Sequence, residues 1–302
     1  MLAELHHIEQ QLNQVILGKS LQIRLALTSV LAQGHLLLED LPGMGKTTLA
    51  HALANALGLS YKRVQFTNDL LPADLLGMNI YDARSAQFYF QPGPVFSQVL
   101  LADEINRASP KTQSALLEAM EERQVSIDGD SRPLPEPFFV IATQNPHFHS
   151  GTNALPESQL DRFLFRLSLG FPDAAAEKQL LRDDSKGSRL SFISRALLPE
   201  QLIAMQQQLQ QVKLSEPLLD YLLALIRASR GQSGMLPLSP RAGKGLVRAV
   251  KALAFLQGRD YATAEDVQNV FPYLAEHRLN PQSVAGLSPL SQQLLEQTPC
   301  PV

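Results

Sequence analysis

The segment Pro42-Gly43-Met44-Gly45-Lys46-Thr47-Thr48 constrains this chain more than any other stretch. A short apolar run, His35 to Glu39, precedes it, and a helical stretch, Leu49 to Leu57, follows until Gly58 stops it. A phosphate-binding loop needs glycines so that its backbone curls and its N–H groups aim at phosphate oxygens. Behind it must stand a helix N-terminus, with a lysine for the β- and γ-phosphates and a hydroxyl for Mg²⁺. Gly43, Gly45, Lys46 and Thr47 supply these parts in order. The departure from G-x-x-x-x-G-K-[ST] is Asp40, which stands where the first glycine is expected. A carboxylate there repels phosphates unless it turns away, so Asp40 is expected to point outward at the strand end. The plainer alternative is an ordinary glycine-rich turn before a helix.

The surrounding pattern is α/β. Strands are predicted at 61–66, 99–102, 138–142 and 166–169, with a helix over Ser109 to Arg123 that Ser109 caps and Pro110 opens. Alternating strands and helices over residues 35–172 predict a central parallel sheet with helices on both faces. Ahead of it, residues 1–34 read as two helices separated by a turn at Gly18, with Leu5, Ile8, Leu12, Val15 and Ile16 on one face of the first. Residues 67–98 form a long excursion containing a strand near Gln87 to Phe90. Residues 124–134 read as a hairpin around Asp128-Gly129. Beyond Pro172 a connector, 173–198, leads to helices at 199–211, 216–230, 241–256 and 263–275. These predict a smaller all-helical domain over 199–290, followed by a tail, 291–302. The 302 residues accommodate about two domains.

Five further residues suggest chemistry. Val99-Leu100-Leu101-Ala102-Asp103-Glu104 is an apolar strand ending in two acids, where ligands bind in open α/β sheets. Asp103 suits a Mg²⁺ contact and Glu104 suits polarising an attacking water; an Asp capping the next helix is the alternative. Asn145, after the strand Val140 to Ala142, suits sensing the γ-phosphate, although Asn-Pro often only starts a turn. Arg162 suits stabilising transition-state charge at a neighbouring subunit, against the alternative of a surface pair with Asp161 or Glu157. Arg241, in Ser239-Pro240-Arg241, could reach back to the γ-phosphate or stand solvated in a helix's first turn.

Composition sets limits. Lys and Arg total 26 against 29 Asp and Glu, a net charge of −3, which disfavours a body that grips nucleic acid throughout. Cys300 is the single cysteine, so no internal disulfide and no cysteine-built metal site can form, and a reducing compartment is expected. No secretory pattern and no run of about 20 apolar residues is present, so no transmembrane segment is predicted and a cytoplasmic location is the expectation. His147 and His149 lack an accompanying acid or cysteine, and a variable surface loop is the expected reading.

Together these residues resemble the AAA+ ATPases, and within them the MoxR family. The resemblance is carried by LLLEDLPGMGKTT, FTNDLLPADLLG, QPGPVF, LLADEINRASPKTQSALLEAMEERQVSIDG, PFFVIATQNP, LPESQLDRFLF and LSPRAGKGLVRAVKALAFLQGRDYATAEDV. It implies an ATPase core with a helical lid, ATP and Mg²⁺ as cofactors, and a hexameric ring. It further implies that Pro42 to Thr48 form the Walker A loop, with Lys46 and Thr47 contacting nucleotide and Mg²⁺. Asp103 and Glu104 become Walker B, Asn145 sensor 1, Arg162 the arginine finger and Arg241 sensor 2. Residues 67–98 become the helix-2 insert and 124–134 the hairpin before sensor 1, and the two readings of Arg107 are an interface charge and a helix-end residue.

The function so implied is a chaperone-like ring that hydrolyses ATP to remodel, mature or activate a client, with a von Willebrand factor A domain protein as one partner class. A nucleic-acid-tracking motor is disfavoured, because the hairpin has Arg123 and Arg132 but also Asp128 and Asp130 and is close to neutral, whereas tracking loops need basic and aromatic residues. A nucleotide-gated module without hydrolysis is the other alternative, against which stands the full set Asp103, Glu104 and Asn145.

Overall fold

A computed structural model describes residues 2–145, 155–182 and 189–301. Helices α1 (Leu2–Val15) and α2 (Ser20–Leu31) lead into β1 (His35–Glu39), the phosphate loop and α3 (Lys46–Ala56). Next come β2 (Tyr61–Gln65), the short α4 (Pro72–Leu76), β3 (Gly77–Asp82), β4 (Gln87–Pro92) and β5 (Val99–Asp103). Helix α5 (Pro110–Glu122) is followed by β6 (Gln124–Ile127), β7 (Asp130–Pro133), β8 (Phe139–Gln144), α6 (Glu157–Leu160) and β9 (Phe163–Leu167). The remainder is helical: α7 (Ala174–Arg182), α8 (Pro199–Gln208), α9 (Glu216–Ala228), α10 (Pro240–Leu256), α11 (Ala264–Leu279) and α12 (Pro289–Gln297).

Five strands form one parallel sheet in the order β2-β5-β8-β1-β9. Strands buried on both faces read as continuous apolar runs, and VLLA in β5 and LLL in β1 do so. Alternate side chains serve opposite faces. Leu36, Leu38, Val99, Leu101 and Ile141 join one apolar cluster with α1, α2 and α3. Leu37, Leu100, Ala102, Val140 and Ala142 join another under α5. Burying each such side chain contributes roughly 1.5–3 kcal/mol. The pairs β3–β4 and β6–β7 are separate antiparallel hairpins. They are fastened together, with Asn79 donating to Asp128 at 2.8 Å and the Arg132 guanidinium 4.2 Å from the centre of the Phe90 ring.

Several boundaries differ from the sequence expectation. The last sheet strand begins at Phe163, three residues early, because its residues pair with His35 to Leu38 of β1. The tail holds a helix, α12, whose Leu294 and Ser291 are buried, and Glu276 accepts from the Ser291 N–H and hydroxyl. Its glutamine-rich composition hid the apolar side. The connector likewise contains α7 and a 3₁₀ turn, Arg189–Phe192. Nor does the C-terminal helical region have a core of its own: residues of α9, α10 and α11 continue the apolar cluster that begins on the sheet. Arg278 of α11 reaches into the core, donating to Asp161 Oδ1 at 2.7 Å and to the Phe163 carbonyl at 2.6 Å.

Candidate active site

The phosphate loop joins the carboxyl end of β1 to α3. Gly43 and Gly45 both have φ of +86°, in the left-handed region that only glycine enters cheaply. Gly45 is also the residue just before α3, so the curl that turns the loop begins the helix, and Lys46 is the first helical residue. Asp40 turns away from the loop as expected, but into the protein rather than outward. Its Oδ1 accepts from Ser168 Oγ at 2.7 Å and the Gly170 N–H at 3.1 Å, and Oδ2 accepts from the Leu169 N–H at 2.6 Å. The segment leaving β9 thus supplies donors that let a buried carboxylate stay there.

Lys46 Nζ donates to the Asp40 carbonyl at 2.5 Å and to Asn145 Oδ1 at 3.2 Å. Burial pulls its pKa down, while the carboxylates of Asp40, Asp103, Glu104 and Glu39 oppose that pull. On β5, Asp103 Oδ1 accepts from Thr143 Oγ1 at 2.6 Å, and Oδ2 accepts from Arg63 Nη2 at 2.7 Å and Nε at 3.0 Å. Glu104 has φ of +56°, a conformation costing a non-glycine residue roughly 1–3 kcal/mol. Its N–H is held by Thr143 Oγ1 at 2.8 Å. Asn145 Nδ2 donates to its Oε1 at 3.0 Å, and Gln65 and Arg107 each donate to Oε2 at 2.8 Å. Asn145 therefore bridges the loop lysine and the Glu104 carboxylate. Arg107 ends the 3₁₀ turn Ile105–Arg107, in line with its reading as a helix-end residue, and from there it donates to Glu104.

The structure therefore brings together Pro42 to Thr48, Asp103, Glu104 and Asn145. Arg162 and Arg241 lie elsewhere. Arg162 precedes β9, whose first residue pairs with the first residue of β1, so it stands at the end of the sheet opposite the phosphate loop. That separation is roughly 15 Å along a five-residue strand. Its partner is Glu121 on α5, at 2.8 Å, and not Asp161 or Glu157. Arg241 does not reach back to its own loop. It is bound to the same Glu121, and Ser239 of the same turn donates to Asp161 at 2.9 Å. Helix α10 is thus anchored at the far end of the core. His147 and His149 lie outside the described residues.

Sequence reasoning missed several neighbours. Arg63 and Gln65 point the same way from the edge strand β2, two residues apart, onto Asp103 and Glu104. Beside the loop lies a cavity of about 560 Å³, walled by Val15, Ile16, Gly43, Thr48, Leu180 and Leu181. Its apolar walls and size suit a nucleobase. Helices α1 and α7 supply much of that lining, far in sequence from the loop.

A parallel sheet carrying a glycine-lysine-threonine loop at one strand end and an acid pair at another defines a P-loop ATPase of the AAA+ type. Comparison with known proteins agrees. The family described as "ATPase family associated with various cellular activities (AAA)" matches residues 35–165, and the AAA lid domain family matches residues 232–297. The chain is 44% identical to YeaC, an uncharacterized protein of Bacillus subtilis, over 89% of this chain and 85% of that one. It is 39% identical to the chaperone MoxR1 of Mycobacterium tuberculosis, over 92% of this chain and 76% of that one. A crystal structure from Cytophaga hutchinsonii, 33% identical, superposes with a TM-score of 0.89 over all of this chain and 96% of its own. The chain belongs to the MoxR family of AAA+ ATPases. No helix among the described residues is long and apolar enough to cross a membrane.

Proposed function

We propose that this chain hydrolyses ATP at sites shared between copies in a ring, hexameric on the family pattern, and uses the cycle as a chaperone-like device that remodels or activates a client protein. The observation that carries this reading is the placement of Arg162 and Arg241 at the end of the sheet opposite Lys46, Asp103 and Glu104. One copy holds the loop, the acids and Asn145, and its own Arg162 and Arg241 stand at the far end of the sheet from that phosphate.

In this reading the loop N–H groups and Lys46 bind the β- and γ-phosphates, exchanging the Asp40 carbonyl for phosphate oxygens. Glu104 accepts a proton from the attacking water, and Asn145, bonded to both Lys46 and Glu104, aligns that water with the γ-phosphate. Arg162 and Arg241 of the adjacent copy offset charge as the phosphoryl group transfers, an effect worth on the order of 10³-fold or more. The Thr47 hydroxyl and the Asp103 carboxylate are hard oxygen donors, too few to cage a cation alone, which suits Mg²⁺ held jointly with phosphates. When bound, Mg²⁺ neutralises the β- and γ-oxygens. Exposed aromatic residues on the β3–β4 hairpin, Phe88 at 71% and Tyr81 at 54%, offer apolar surface for a client. A von Willebrand factor A domain protein is the partner class to test first.

The test is subunit mixing. Glu104→Gln and Arg162→Ala are each expected to lack turnover while still binding ATP. Mixed, they form interfaces that join an intact Glu104 to an intact Arg162, and turnover returns in part. Wild-type activity per chain rises with concentration. Full activity of Arg162→Ala alone, or turnover independent of concentration, overturns the shared site.

A further inference from the structure

Glu121 stands where the core meets the C-terminal helical region. It lies in the last turn of α5, and its two carboxylate oxygens serve different arginines. Oε2 accepts from Arg162 Nε at 2.8 Å, with Arg162 Nη2 in an ion pair at the same distance, and Oε1 accepts from Arg241 Nη2. Arg162 is held further by a bond from Nη1 to the Ser158 carbonyl at 2.9 Å. The carboxylate therefore links a core arginine to an arginine of the C-terminal helical region, from elements 41 and 120 residues away in sequence.

The surroundings of this acid are rich in arginine. Beside it is a cavity of about 220 Å³ whose wall also carries Arg123, Arg248 and Arg278. Arg278 is paired with Asp161. Arg123 and Arg248 are pushed down in pKa by burial, and the Arg123 charge lowers Arg248 further, so these two stand close enough to repel. A negative charge lying between two more guanidinium groups lowers the cost of bringing them to this face. The acid is only partly buried, so an incoming anion can share the arginines with it.

We propose that Glu121 is a positioning residue for the shared ATP site. It pairs Arg162 with Arg241 and presents them as one preorganised unit to the triphosphate bound by the adjacent copy. The inference rests on the shared-site reading above. It adds that the two arginines act together through this carboxylate. Removing the charge leaves attraction for ATP intact, since both arginines remain, but loses their alignment. The effect therefore falls on kcat and not on KM.

The experiment measures steady-state ATP turnover of the assembled protein for Glu121→Gln, Glu121→Asp, Arg241→Ala, Arg162→Ala and the double variant Glu121→Gln/Arg241→Ala. Glu121→Gln is expected to lower kcat about 10-fold with KM unchanged or lower, and Glu121→Asp to recover part of it. Arg241→Ala should cost about 10-fold alone but under about 3-fold in the Glu121→Gln background, because the carboxylate is what couples them. Melting temperature and sedimentation are followed in parallel. Turnover of Glu121→Gln within about two-fold of wild type, with both arginine variants inactive, overturns the role of Glu121 and leaves the shared site standing. A loss traced wholly to unfolding or failed assembly, with normal kcat per assembled ring and no Asp rescue, also overturns it. Wild-type turnover in both arginine variants sinks the shared-site reading itself, and the proposal with it.

Discussion

Arg63 grips a single oxygen of Asp103 through two hydrogen bonds, from Nη2 at 2.7 Å and Nε at 3.0 Å. The other oxygen is held by Thr143. A cation at Asp103 must compete with that guanidinium. The Arg63 side chain is half exposed, so the pairing is worth about 0.5–1 kcal/mol. Arg63→Gln is therefore expected to lower the Mg²⁺ concentration for half-maximal turnover about 2- to 5-fold. A Mg²⁺ titration of ATPase rate checks this, and an increased requirement would show that Arg63 orients Asp103 rather than competing for it.

Asn145 contacts both Lys46 and Glu104. Asn145→Ala removes a polar group that the mechanism uses during phosphoryl transfer more than during binding. The expected loss in kcat is about 10²-fold, with nucleotide affinity changed little. Parallel measurement of nucleotide binding and turnover separates the two; a matching loss of affinity would assign Asn145 to binding.

Asp40 should matter for stability. Asp40→Ala strips three donors of a buried, charged acceptor and leaves Lys46 among fewer carboxylates. The expected destabilisation is about 2–4 kcal/mol, read from denaturant unfolding. An unchanged midpoint would mean that water replaces the carboxylate without loss.

Acid sensitivity follows from His35. The imidazole is buried, its Nδ1 accepts from the Val140 N–H at 3.0 Å, and Nε2 faces the Met120 carbonyl at 3.3 Å. Burial first, then the Arg123 charge, lowers its pKa from 6.5 to about 3. A depressed histidine is neutral in the fold, while the unfolded chain takes up a proton below pH 6.5. Stability is thus full above pH 6.5 and falls as pH drops from there toward 3. The contribution lost by pH 5 is about 2 kcal/mol. His277, also buried and lowered, adds in the same direction. His35→Leu should flatten, though not abolish, the fall in melting temperature between pH 6.5 and 5.

Much of this protein is written locally. The phosphate loop, the Asp103–Glu104 pair and the strands that carry them are legible because each depends on residues adjacent in sequence. Two left-handed glycines before a lysine dictate a loop that opens a helix, and apolar runs of three to five residues dictate buried strands. Helix α5 was readable for the same reason, since Ser109 caps it and Pro110 begins it. Helix α12 was not, because glutamines replace most of its apolar pattern and burial against α11 decides its position.

Tertiary structure alone decided what surrounds the acids and where the arginines stand. Arg63 meets Asp103 across 40 residues, because β2 and β5 pair in register, and Arg241 meets Glu121 across 120, because α10 docks beside the amino end of β1. A guanidinium in a strand or a first helical turn looks the same in sequence whether it is solvated, paired or aimed at a neighbour. Its partner is set by the packing of distant apolar faces, and that packing places Arg241 beside Arg162 rather than at its own phosphate loop.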